Sequence, residues 1–251
     1  PALLALLAVG AVALFRRRRG LALLAAGLTI AAGVPSAPAD ITSWQHDPAT
    51  PGDWFAGPNW TDGVPGLADE ACVDNGGTVQ VVNLGAYCQR LDLSCSEGQS
   101  GRLELAGEGV LYAEWELIGW RGTGMAVQTG GSNTVIEDLT VGADGSGTYL
   151  QYGGLVTVQD EFRMASNAGS IGRYELHAGA TLRADRQYVG LKGNGTFVQS
   201  GGINLARDNL TVGIAEGSAV TYLLSGTGEL TAGALRVQAS GSGVFTQTGG
   251  T

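Results

Sequence analysis

Five aromatic residues, Tyr149, Tyr174, Phe197, Tyr222 and Phe245, recur at steps of 25, 23, 25 and 23. Four residues after each lies a small-residue turn: Gly153-Gly154, Ala178-Gly179, Gly201-Gly202, Gly226-Thr227 and Gly249-Gly250. A period of about 24 with constant turn chemistry implies one supersecondary unit repeated and stacked, each copy burying its apolar face on the next. The period constrains architecture far more tightly than activity.

Aligned on the turn, the units open GRLELAGEG, GMAVQTGGS, GTYLQYGGL, GRYELHAGA, GTFVQSGGI, VTYLLSGTG and GVFTQTGGT. This first strand alternates with period two, as a half-buried strand does. Leu103/Leu105, Tyr149/Gln151, Tyr174/Leu176, Phe197/Gln199 and Tyr222/Leu224 share one face, and Glu104 and Glu175 share the other. Because unpaired buried carboxylates are costly, the aromatic face is expected to point inward. Gln128, Gln151, Gln199 and Gln247 then form an inward column, predicted to bond one another through their side-chain amides.

A second short strand aligns Leu111, Leu182, Leu205 and Leu230. A third carries the pairs Leu139/Val141, Phe162/Met164, Leu210/Val212 and Leu235/Val237, with Thr140, Arg163, Thr211 and Arg236 between them facing solvent. Three strands and three turns in about 24 residues describe one rung of an all-β, right-handed parallel β-helix, the hand following the crossover preference of parallel strands. With 42 glycines in 251 residues and repeated β-branched alternation, a helical repeat is disfavoured. A sandwich or propeller would need antiparallel hairpins.

The first 39 residues stand outside this pattern. Arg16 to Arg19 precede a 14-residue apolar run, Leu21 to Val34, and Ala37-Pro38-Ala39 supplies the small residues of a signal-peptidase site. Export with cleavage before Asp40 is expected; an uncleaved anchor is the alternative, although about 20 residues are needed to span a bilayer. The segment before the arginines is similar to the sorting tail of PEP-CTERM exported proteins, displaced to the wrong end of the chain. The expected division is a signal region over 1–39, an N-terminal cap over 40–76 and rungs over 77–251, continuing in a longer protein. Formal net charge is −9, and without the four arginines the remainder is near −13. Such a surface repels nucleic acid and anionic membranes, so membrane association is expected only through the signal or a downstream anchor.

Cys72 and Cys95 are 23 residues apart, one rung, which would place their backbones near the strand spacing and within disulfide reach. A staple across the first rungs and three small core residues (with Cys88) are both open. Trp44, Trp54 and Trp60 cluster among Pro and Gly. They are expected to cover the open end of the stack, which would otherwise expose core and strand edge; a sugar-stacking platform is the rival.

That segment, followed by rungs such as GTFVQSGGINLARDNLTVG, resembles bacterial exported repeat proteins, including autotransporter-type passengers and PEP-CTERM surface proteins. The resemblance covers about residues 44 to 251. It implies surface display, adhesion or matrix roles in a Gram-negative-type bacterium, with extracellular glycans or matrix components as partners, and it carries over no catalytic residues.

Glu114, Glu137, Asp160, Asp185 and Asp208 occupy one repeat position. Stacking would set like charges about 5 Å apart, which needs an offset. Turn hydrogen bonds and the adjacent Arg186 and Arg207 are one; weak Ca²⁺ held by Glu137, Asp160, Asp185 and Asp208 is another, although the calcium β-roll spacing is missing. No other cofactor is expected. Rungs of 23–25 residues leave no room for the loop walls of a catalytic cleft, and neither His46 nor His177 has a Ser or Cys pattern around it in sequence. The chain therefore reads as a non-enzymatic scaffold, with polysaccharide binding or processing along one face as the second reading.

Overall fold

The computed structural model describes residues 40–238 and 240–251. The basic run, apolar run and cleavage site expected before Asp40 lie outside the described residues. From Asp40 onward the chain winds into a parallel β-helix. One sheet holds nine strands, from Gly52–Asp53 and Asn75–Val81 to Ala219–Leu224 and Ser242–Gln247, every neighbouring pair parallel. The other two sides of the prism form a thirteen-stranded sheet. In the early rungs these sides are separate strands, such as Ser132–Val135 and Asp138–Val141; later they fuse into Gly154–Met164, Ala180–Val189 and Ile203–Val212. A register shift between Val158 and Glu161 marks the bend that keeps two faces on one strand.

The first strand is buried at alternate residues, as in Ser146–Gln151 and Asn194–Gln199. Tyr149, Tyr174, Phe197, Tyr222 and Phe245 are directly in register. Their rings stack with centroids 4.5–5.1 Å apart and planes within 26°. The first four are fully buried, and each such side chain contributes roughly 1.5–3 kcal/mol relative to exposure.

The glutamines do not bond one another. Each Nε2 instead closes its own rung's glycine turn: Gln128 donates to Gly130 O (3.1 Å), Gln151 to Gly154 O (3.2 Å), Gln199 to Gly202 O (3.2 Å). The Oε1 atoms accept the hydroxyls of the next rung, from Tyr149 to Gln128 (2.8 Å), Tyr174 to Gln151 (2.8 Å) and Tyr222 to Gln199 (2.6 Å). Where the rung below has leucine instead, Leu176 or Leu224, the ring above is Phe197 or Phe245. A phenol appears only over an acceptor, because an unpaired buried hydroxyl is costly. Leucine rungs make a different turn, one residue longer, closed by backbone bonds: Gly109 N–H to Ala106 O (3.0 Å), Ala180 N–H to His177 O (3.2 Å) and Gly228 N–H to Ser225 O (3.1 Å).

Two further positions differ from the sequence alignment. Asn204, not Leu205, continues the inward column Leu111–Asn133–Val156–Leu182, and Leu205 turns half outward. Asn204 is tolerated there because it exchanges hydrogen bonds with Gln187 (2.7 and 3.0 Å) and donates to Tyr222 Oη (2.9 Å). Thr140 and Thr211 sit between inward pairs as expected, yet both are buried rather than solvent-facing.

From Ser94 onward, the corner after the third strand takes a left-handed residue in each rung. Glycine supplies it at Gly119, Gly142, Gly190 and Gly213, with φ of +76° to +79°. Ser94, Ala165 and Gln238 take the same conformation at φ of 50–72°, a strain of order 1 kcal/mol each.

The segment 40–76 is more than a cap. Ile41–Ser43 pairs with Glu70–Val73, Gly52–Asp53 pairs with Asn75–Val81, and a boundary at 76 would cut that last strand. The first rung therefore starts within the tryptophan-rich segment.

Candidate functional site

Trp44, Trp54 and Trp60 are 2%, 0% and 1% exposed, so none offers a face to a sugar. Trp60 packs edge-on against Trp44 and Trp54 at 4.9 and 5.0 Å, and its Nε1 donates to Trp54 O (2.8 Å). The sugar-platform reading fails here because these indoles are part of the core.

Cys72 and Cys95 are joined in a disulfide, Cα–Cα 6.1 Å, across adjacent rungs. With Asp74 they form the one gathering of three metal-type ligand atoms among the described residues, and the disulfide consumes both sulfurs. Cys88 is a buried thiol; burial first, then Glu116, Asp92 and Asp69, push its pKa well up, so it is unreactive at neutral pH.

The acidic column runs along the corner between the second and third strands. Arginines interleave it. Arg186 bonds Asp160 and, at 2.8 Å, Glu161; Arg163 reaches Asp138 (2.8 Å) and Glu161 (2.5 Å); Arg207 reaches Asp185 (3.2 Å). Asp208 is exposed. Glu137, Asp160, Asp185 and Asp208 do not converge as one ligand set among the described residues. The arginines offset the like-charge repulsion within the column.

A second feature lies on the outward face of the third strand. An open depression of about 380 Å³ is lined by Glu70, Gln89, Arg90, Trp115 and Leu117. Glu70, Arg90 and Trp115 are register partners on successive rungs. Arg90 is held by Glu70 (2.9 Å) and Asp92 (2.6 Å) and lies over Trp120, whose ring also meets Arg121, at 4.8 and 4.4 Å. Asp92, though at an outward position, is 2% exposed. Its burial outweighs the Arg90 bond and charge and pushes its pKa up to about 6. A half-exposed indole beside a carboxylate, an amide and a guanidinium can stack on and hydrogen-bond a polyol. Sequence reasoning missed this place; its signal was that Trp115 and Trp120 are the only tryptophans outside the N-terminal cluster.

A third feature corrects the reading of His177 as unpartnered. Its Nδ1 lies 3.2 Å from Ser200 Oγ, its Nε2 lies 3.1 Å from Glu175 Oε2, and Tyr152 stacks on its ring at 4.5 Å. His177 and Ser200 are 23 residues apart, the same one-rung step that separates Cys72 from Cys95.

Inside the stack, Glu116 replaces a leucine of the third-strand column and is fully buried. Asn133 Nδ2 donates to its Oε2 (2.9 Å), but burial dominates and raises its pKa to about 7. No protein family, curated protein or solved structure matches the chain.

Proposed function

We propose that this chain is a secreted or cell-surface scaffold of the adhesin-like kind, presenting flat β-faces to extracellular partners. The observation that carries the reading is where the repeated residues go. Aromatic, leucine and glutamine columns turn inward to hold the stack, while the acidic corner is tied by Arg163, Arg186 and Arg207. Rungs of nearly constant length raise no loop walls, so what is displayed is surface rather than cleft. The disulfide fits an oxidising compartment. Among the described residues no helix is long and apolar enough to cross a membrane. Protease shaving of intact producing cells tests the proposal: rung peptides are expected in the released fraction, and their confinement to the lysate sinks it.

Polysaccharide binding is the second reading, favoured by the depression beside Trp115. On a glycan array, Trp115→Ala is expected to abolish binding by a variant that still folds. Binding unaffected by that change, or absent from the unaltered protein, overturns it.

A further inference from the structure

We propose that Ser200, His177 and Glu175 act as nucleophile, general base and positioning carboxylate in the hydrolysis of unhindered acyl esters at the surface of the stack. Ser200 Oγ is 3.2 Å from His177 Nδ1, and His177 Nε2 is 3.1 Å from Glu175 Oε2. Both distances meet the geometric requirement for an activated nucleophile. An ionised carboxylate accepts but cannot donate, so the ring proton of neutral His177 sits on Nε2 and the Nδ1 lone pair accepts the serine hydroxyl. Partial burial works against ionising Glu175, but Arg173 at 2.5 Å and His177 outweigh it and hold its pKa below the ordinary range. Tyr152, one rung below, fixes the imidazole plane at an interplanar angle of 19°.

The set arises from stacking. Tyr152, His177 and Ser200 each follow the last inward residue of the first strand in three successive rungs, which the register aligns. Ser200 is exposed and is followed by the tight Gly201-Gly202 turn. In the first step Ser200 Oγ bonds to the ester carbonyl carbon while its proton passes to His177 Nδ1. The ester C–O bond then breaks, and the alcohol leaves with that proton. Water attacks the acyl-serine, giving its proton to His177; the carboxylic acid departs and Ser200 is restored. Without cleft walls, the substrate class is a short acyl group on a large, accessible carrier.

Ser225 provides an internal control. It occupies the same position one rung on, and its Oγ donates to Gln199 O (3.3 Å) rather than meeting an imidazole. The folded protein is treated with a fluorophosphonate ester and the adduct located by peptide mass mapping, alongside p-nitrophenyl acetate turnover. We expect labelling at Ser200 and not at Ser225, reduced at least about 10-fold by His177→Gln, and turnover lost in Ser200→Ala, which keeps the imidazole. Glu175→Gln, which removes the carboxylate that holds His177 Nε2, is expected to slow labelling of Ser200, and Glu175→Asp to restore part of it. Circular dichroism confirms that the variants fold. No adduct at Ser200, equal labelling of Ser225, or full labelling of the His177→Gln protein overturns the proposal.

Discussion

If each tyrosine of the inner column exists because the rung below offers an acceptor, then exchanging phenyl and phenol should destabilise in both directions. Tyr174→Phe removes the hydroxyl that donates to Gln151 Oε1 at 2.8 Å; Tyr174 and Gln151 are both 0% exposed. The orphaned amide oxygen has no water to turn to, so the cost is about 1–3 kcal/mol. Phe197→Tyr places a hydroxyl where the rung below ends in Leu176, also fully buried, and the same range applies. For a folded unit of this size each kcal/mol moves Tm by about 2–4 °C, so each variant should melt roughly 2–12 °C lower. Thermal unfolding followed by circular dichroism, with urea titrations for the free energies, measures both. A reading on apolarity alone gives the opposite sign for Tyr174→Phe, because it removes a buried polar group. A neutral or stabilised Tyr174→Phe therefore refutes the acceptor argument. A double-mutant cycle with Gln151→Leu isolates the coupling from the bonds that Gln151 also makes to Gly154 O in its own turn and to Thr181 O in the next rung.

Three other outcomes are expected. Cys95→Ser opens a loop of 23 residues and should cost about 3 kcal/mol on chain-entropy grounds, read as a Tm drop matched by reducing the parent protein. Glu116 has a folded pKa of about 7 against an ordinary value of 4.5, so the folded state holds the extra proton. Its contribution is complete below about pH 4.5 and is lost as pH rises through 7, a change of about 3 kcal/mol that Glu116→Gln should flatten in pH-dependent urea titrations. Trp54→Ala should cost about 3–5 kcal/mol as a core truncation, whereas Trp115→Ala, at a partly exposed position, should lower Tm clearly less.

The rung and its inward aromatic column were legible in the sequence because period two and period 24 superimpose; a strand face and a stacking axis are then both defined. Polar residues in the core were less legible. Alternation aligned Leu205 with the leucines, yet Asn204 takes the place because Gln187 and Tyr222 satisfy it from other rungs. Glu116 with Asn133 follows the same logic. Such pairings link positions on different sides of the prism, which periodicity along one strand does not register. The Ser200–His177 contact was within reach, needing only the one-rung step already applied to the cysteines. The depression at Trp115 was signalled only by two tryptophans outside the N-terminal cluster, because Glu70, Arg90 and Trp115, its register partners, share no residue type.

The hydroxyl-over-amide rule also bears on how such a stack can lengthen by gene duplication. A copied rung must suit the rung it lands on. The Tyr149/Gln151 rung can repeat itself, but a second Tyr174/Leu176 rung would set a phenol over leucine, and a second Phe197/Gln199 rung would leave an amide oxygen bare. Copying both together, the 48 positions from Tyr174 to Thr221, keeps every junction matched. The smallest duplication that preserves core chemistry through this region is thus a pair of unlike rungs, and a series of single-rung copies would carry its own record of failed joins.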